Sequence, residues 1–359
     1  MRFLMARRKR GIWAGRGAFV CLLAVAAGCS DPGYAFYAVT GQLGLMARAR
    51  PIDQVLADGM LTEAQKAKVQ ELLAIRDYAA KALRLRVGDS YTTYVDTGDE
   101  PVAFNLSASF KDSLTPVTWE FPFVGRTPYL GFFDRQEALD YQSRLVSKGY
   151  DTLVYSVEAY STLGLFPDPI TTSMLSRTES YLADLLFHEC THNTVWRDGD
   201  TDFDENAAVF LGRVGTLKYL AERYGDDSAV VIEAQRRYHD EDLYNAALSR
   251  LFEELTEFYA SDRTSAEKID GRAALFEETR RRFREEVQPQ MFEPQGYDYL
   301  QTLNINNAWV LLNARYNNDL EVFEAAYEAV GRDYDRMLDL LLEAAASSDP
   351  IAFLRSAAD

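Results

Sequence analysis

The run Phe187-His188-Glu189-Cys190-Thr191-His192 limits what this chain can be more than any other stretch. It lies within Tyr181 to Trp196, where Leu182, Leu185, Leu186, Cys190, Val195 and Trp196 recur at helical spacing without Gly or Pro. Such a segment reads as a helix with one buried face. Residues four apart share a face, so His188 and His192 present two imidazoles to one point. The chain has 3 histidines, and two of them stand here. Two neutral imidazoles are half of a tetrahedral zinc site, and a catalytic zinc takes three protein ligands and keeps one position for water. Glu189, next to the first ligand, is placed to take the proton of that water as it attacks a polarised carbonyl. The pattern is H-E-x-x-H, whose mechanics are those of metal-assisted peptide hydrolysis. The competing reading is a pair of surface histidines with a solvated Glu between them.

A third ligand is sought in the next helix. Polar Arg197 to Thr201 precedes a segment from about Asp202 to Arg223 that carries Phe203, Ala207, Phe210, Val214, Leu217 and Leu220 on one face. The short connection predicts that the two helices pack antiparallel or nearly so, which lets the first turn of the second reach a metal on the first. Glu205, thirteen positions after His192, is the candidate and would complete a His2Glu set. Asp204, Asp202 and, more distantly, His239 are its substitutes. Asp202 with Glu205 three later also fits a capping box, in which Glu205 only satisfies a backbone N–H.

Residues 1–28 read as a signal peptide. Arg2, Arg7, Arg8, Lys9, Arg10 and Arg16 stand without an acid, and Gly17 to Ala27 is apolar but too short to span a bilayer comfortably. The ending Ala26-Ala27-Gly28-Cys29 resembles the bacterial lipoprotein signal, which implies a lipid anchor on Cys29. An ordinary cleavage site with an incidental Cys is the alternative. Ser30, where Asp would mark inner-membrane retention, implies the outer membrane, with the body facing the periplasm. Losing six basic residues leaves 32 basic against 55 acidic groups, so the net charge moves from −17 to −23. A body so acidic is repelled by phosphate backbones, which excludes nucleic acid as a partner. Of the 3 cysteines, Cys190 alone then remains free, and no disulfide framework is available.

The remaining chain, 47% hydrophobic over 359 residues, can bury a core as one large domain or two small ones. Tyr34 to Arg50 reads as a packing helix, with a membrane-lying role open because it follows the anchor directly. A longer helix runs from Thr62, its N-cap, to Arg86. Ser90 to Asp96, Val102 to Phe110, Val117 to Phe123 and Tyr129 to Phe133 are short and rich in Tyr, Thr, Val and Phe, as strands are. Asp134 to Lys148 reads as a helix, and Asp151 to Glu158 alternates like a strand. That strand, or Ala159 to Gly164 after it, is a candidate edge on which an extended substrate lies. From Ser228 the pattern is helical: Ser228 to Phe258 and Ser265 to Val287 as solvated surface helices, Met291 to Tyr299 as a loop, then Asn304 to Ala314, Leu320 to Val330 and Tyr334 to Ala346. The expected organisation is N-terminal helices over 29–89, sheet and zinc-site core over 90–225, and a helical part over 226–359.

Several blocks together carry a resemblance. Phe121-Pro122-Phe123-Val124-Gly125, Tyr129-Leu130-Gly131-Phe132-Phe133, Ala159-Tyr160-Ser161-Thr162-Leu163-Gly164, Asp168-Pro169, Phe187 to His192, Phe203-Asp204-Glu205 and Asn306-Asn307-Ala308 resemble the bacterial predicted aminopeptidase family of zincin type. The resemblance implies an α+β, predominantly helical zincin-like fold, with a small mixed or antiparallel sheet beside the H-E-x-x-H helix. It implies zinc on His188, His192 and Glu205, Glu189 as base, and a peptide or protein as substrate. Three departures stand out: Cys190-Thr191 replaces the usual Leu-Ala, Asn193 replaces Gln, and Leu130 sits where Arg is common, a change expected to bear on substrate preference. Cys190 is about 200° around the helix from His188 and is read as packing. Tyr160 is a candidate oxyanion donor, and Glu158 a candidate anchor for a free amino terminus. A non-catalytic envelope chaperone or assembly lipoprotein and a cell-wall hydrolase are the rival functions.

Overall fold

A computed structural model describes residues 31–358 apart from 99, 122–124, 158–166 and 316–319. The fold is predominantly helical α+β, as expected, with three small sheets. It opens with α1 (Pro32–Arg48), capped by Asp31, whose carboxylate accepts from the Tyr34 N–H while Pro32 takes the first turn. After β1 (Arg50–Pro51) and the short α2 (Ile52–Ala57) comes α3 (Glu63–Lys81), opened by a Thr62/Gln65 capping box. This helix stops five residues short of Arg86. Arg84 takes φ +57°, and the reversed chain then buries Leu83 and Leu85 in the core.

Strand β2 (Thr93–Val95) pairs antiparallel with β1 and parallel with β8 (Ile170–Thr171), forming a small mixed sheet. A second, antiparallel sheet has the order β6 (Tyr129–Phe132), β3 (Ala103–Ser109), β7 (Asp151–Val157), with Leu106 opposite Leu130 and Val154. β7 is thus an edge strand of this sheet, and its continuation over 158–166 lies outside the described residues. A hairpin of β4 (Trp119–Phe121) and β5 (Gly125–Thr127) forms a third sheet, whose Trp119 is buried in the core of the second. Helix α4 (Arg135–Ser147), capped by Asp134, packs on the second sheet through Ala138 and Leu145.

The remaining helices are α5 (Glu179–His192), α6 (Thr201–Tyr224), α7 (Ala229–Ala260), α8 (Ser265–Arg282), α9 (Asn307–Arg315), α10 (Leu320–Ala329), α11 (Tyr334–Ala346) and α12 (Pro350–Ala358). Helix α5 sits in the main core. Leu182, Phe187 and Cys190 share it with Ile75 of α3, Tyr94 and Ile170 of the mixed sheet, Phe210 of α6 and Phe323 of α10. The last helices therefore return to the element that carries the histidines. A second core gathers Leu248, Leu251 and Leu255 of α7 with Phe276, Phe283 and Trp309. Helix α7 is no simple surface helix: one stripe, from Val231 and Tyr238 to Leu255 and Tyr259, is buried and joins both cores. Its charges lie on the outward face and dominate the composition that the sequence displays. Met291 to Tyr299, expected as a loop, passes at Pro294 into the 3₁₀ helix Pro294–Gln301.

Asn307, from the late Asn-Asn-Ala run, is fully buried and clamps α9 to the second sheet and to α7. Its amide nitrogen donates to the carbonyls of Phe110, Lys111 and Ser113, its side-chain oxygen accepts from the Tyr259 hydroxyl, and its N–H donates to Asp151. Arg272 pairs with the same carboxylate of Asp151. A buried network with every member partnered specifies one arrangement of the chain.

Candidate metal centre

Helix α5 is two turns of scaffold followed by two turns of chemistry. Thr178 caps it by accepting from the Tyr181 N–H, and it ends at His192, with Asn193 at the C-cap. The predicted extension to Trp196 is cut short where the N–H groups of Thr194 and Val195 both close on the Thr191 carbonyl at 2.8 Å and turn the chain. Trp196, expected on the buried face, is instead 42% exposed.

Helix α6 runs back along α5. Glu205 meets His188, Gly212 lies against Asp184, and Tyr219 donates to Glu179, so one helix is read upward as the other is read downward. The expected antiparallel packing is present. Helix α6 begins at Thr201, with Asp200 as its N-cap accepting from the Phe203 N–H at 3.3 Å. Glu205 is therefore the fifth helical residue, beyond the capping positions, and the Asp202/Glu205 capping box is absent. Its side chain is left for another purpose.

The Nε2 atoms of His188 and His192 are 3.2 Å apart, and Oε2 of Glu205 stands 3.5 Å from the first and 3.6 Å from the second. Three ligands of a tetrahedral zinc, each about 2.0–2.1 Å from the ion, stand about 3.3–3.4 Å from one another. The observed triangle has that size. Oε2 of Glu205 is buried and has no hydrogen-bond partner among the described residues, a costly state unless a cation meets it. Two imidazole nitrogens facing each other at 3.2 Å likewise need a cation or a proton between their lone pairs. The electrostatics agree. Burial opposes a charge on His188, yet Glu205, Glu189 and Asp184 outweigh it and raise its pKa to about 9. Burial acts against the charge on Glu205, and the two imidazoles overcome it, holding its carboxyl far below the usual range. The residues present fit a divalent, borderline-soft metal.

The neighbours sort themselves by contact. Glu189, between the ligands, is buried at 9% exposure. Asp204 turns away from the triad: its Oδ1 accepts from the Arg197 N–H at 2.7 Å, fastening the connection between the helices, and burial pushes its pKa up to about 7. Asp202 and His239 are also outside the cluster. His239 faces the Asp240 carboxylate and the Phe292 ring. Cys190 is buried in the main core, and that burial pushes its thiol up to about 12, as the packing reading requires. Leu130, expected to bear on substrate preference, is 1% exposed in the core of the second sheet, where β-strand alternation points it inward, and has no access to a substrate. Cys29, Glu158 and Tyr160 lie outside the described residues.

Two residues near the centre carried no signal in the sequence. The Trp196 ring stands 6.4 Å from the His192 ring, edge to face, and is half open to solvent. Tyr91 is fully buried in the main core with φ +62°, its hydroxyl without a partner among the described residues, within electrostatic reach of Asp168, Cys190 and Glu189. A bulky residue held at positive φ is a strained feature of the kind that gathers around functional sites.

A buried carboxylate and two imidazoles set around one point, with a second carboxylate beside them, are equipped to hold a metal and to move a proton. Neither the curated proteins nor the solved structures contain a match to this chain. A family model described as "Putative aminopeptidase" does match, and it spans residues 33–349, from the first helix to the last but one. The chain belongs to that aminopeptidase family.

Proposed function

We propose that the chain is a zinc-dependent peptidase of the bacterial cell envelope, held at the outer membrane by a lipid on Cys29 and acting on peptides or proteins in the periplasm. The convergence of His188 Nε2, His192 Nε2 and the buried Glu205 Oε2 supports this reading. Zinc held there supplies Lewis acidity and lowers the pKa of water toward neutrality. Glu189, on the same helix and one residue from His188, accepts the proton of the attacking water and delivers it to the departing amine. Trp196, exposed beside His192, offers a flat apolar wall to a substrate side chain. Glu158 and Tyr160 are the residues assigned to the free amino terminus and to the oxyanion.

Metal analysis and peptide cleavage on wild type and Glu189→Gln test the reading. The variant should keep about one zinc per chain and lose about 10²–10⁴-fold in rate on peptides with free amino termini. Zinc bound by both proteins with no peptide cut in a broad screen would favour the non-catalytic lipoprotein. Cleavage confined to cell-wall stem peptides would favour the cell-wall hydrolase.

A further inference from the structure

Helix α1 has an outer face that the other described residues leave bare. Its inner face is fixed: the Tyr34 hydroxyl donates to the Gly131 carbonyl at 2.8 Å and accepts from the Gly131 N–H at 2.7 Å. The Tyr37 hydroxyl accepts from the Phe133 N–H at 2.9 Å. Two tyrosines thus pin α1 to β6, and the helix cannot roll to bury what lies opposite. Opposite lie Phe36, 59% exposed, Leu43, 52%, and Met46, 38%. Residues 36 and 43 are two turns apart and 46 follows one turn on, so the three form a single stripe.

Charge sets this stretch apart. The chain has 55 acidic residues among 359, yet none lies between Pro32 and Ile52, and Arg48 and Arg50 are its two charges, both basic. With Arg50 paired to Asp58 and Arg48 facing Asp96, this stretch carries almost no net charge of its own, and within a strongly acidic body it is the one that an anionic surface repels least. Position in the chain names the surface. Only Ser30 and Asp31 separate Cys29 from Pro32, so α1 begins within about 11 Å of the predicted point of lipid attachment. A helix so tethered meets the bilayer at high effective concentration, and a stripe too thin to bind unaided is enough to set orientation.

We infer that α1 lies on the membrane surface, with Phe36, Leu43 and Met46 in the headgroup and acyl boundary, and that it fixes how the body stands on the bilayer. This rests on the lipid-anchor reading of Cys29. The test uses the mature lipidated chain with Leu43→Cys carrying an environment-sensitive fluorophore. Cys190 is buried and does not compete for the label. The same label at Glu278 on α8, whose side chain is 44% accessible, is the control. In vesicles of phosphatidylethanolamine and phosphatidylglycerol, quenching by acrylamide at position 43 should fall at least threefold below that at 278, with a blue shift of emission. Adding Phe36→Asp should restore most of the quenching. Equal quenching at both positions on an acylated, vesicle-bound chain overturns the inference alone. An unmodified Cys29 in the N-terminal peptide, read by mass spectrometry, removes the anchor and the inference together. Shielding that appears without vesicles and grows with protein concentration assigns the face to a second copy and also overturns it.

Discussion

Glu205 shows how far single residues can be read. Its place thirteen positions beyond His192 and the need of a histidine pair for an acidic partner marked it, but the same spacing fitted a cap to Asp202. The capping reading falls with a two-residue shift of the helix start to Asp200, and such boundaries are the least readable property of a sequence. His188, Glu189 and His192 were legible because helical periodicity alone places them. Trp196 was not: periodicity counted it as buried, and the turn closed on the Thr191 carbonyl swung it into solvent. Tyr91 gave no warning either, since nothing in a tyrosine announces a positive φ. The nearness of Trp196 to His192 provides a direct assay. Cobalt added to metal-free protein should quench the part of the fluorescence due to Trp196, with a stoichiometry of about one, through an indole 6.4 Å from a ligand ring. Trp196→Phe should remove that component while leaving metal binding intact. Equal quenching in the variant would place the cobalt elsewhere.

Among elements, the pairing of α5 with α6 matters most, and two glycines set its closeness. A Cβ on Gly212 would stand 3.1 Å from Asp184 Oδ1, 3.3 Å from the Asp184 carbonyl and 3.5 Å from the His188 nitrogen. On Gly215 it would stand 2.9 Å from Leu83 and 3.2 Å from Phe187. Gly212→Ala should gain about 1 kcal/mol of helix propensity and lose about 1–3 kcal/mol to overpacking, so thermal unfolding should move little or fall modestly. Metal affinity should fall about tenfold, because the displaced turn carries His188. Gly271→Ala, whose Cβ meets Phe258 at 2.7 Å in the other core, should cost comparable stability and leave metal affinity unchanged in a competition titration. The helices themselves were legible at strong caps such as Thr62 and Asp134, but α12 was missed behind the expected final helix, although Asp349 caps it and Pro350 opens it. The two-residue strands β1 and β8 and the short α2 were not, because they are too short for any periodicity to show.

At the scale of the molecule, the class of fold was legible and the connection of its parts was not. No pattern in the sequence says that α10 to α12 return to the core of α5, or that α7 spans two cores, since such contacts join residues far apart in the chain. The Asn-Asn-Ala run was legible as a signature but not as a role. Its Asn307 is a clamp, and Asn307→Ala, which removes four hydrogen bonds and strands buried carbonyls, should cost about 3 kcal/mol or more in chemical denaturation. The folded fraction should keep its full metal content; loss of metal at unchanged stability would contradict a purely structural role. What would unite the molecule around a function is the zinc proposed to lie between α5 and α6. X-ray absorption at the zinc edge of the purified protein measures that ion's ligands directly. Two imidazole nitrogens and a carboxylate oxygen at about 2.0–2.1 Å are expected, with one imidazole lost in His192→Ala. A spectrum that His192→Ala leaves unchanged, or one dominated by sulfur at about 2.3 Å, would contradict the assignment.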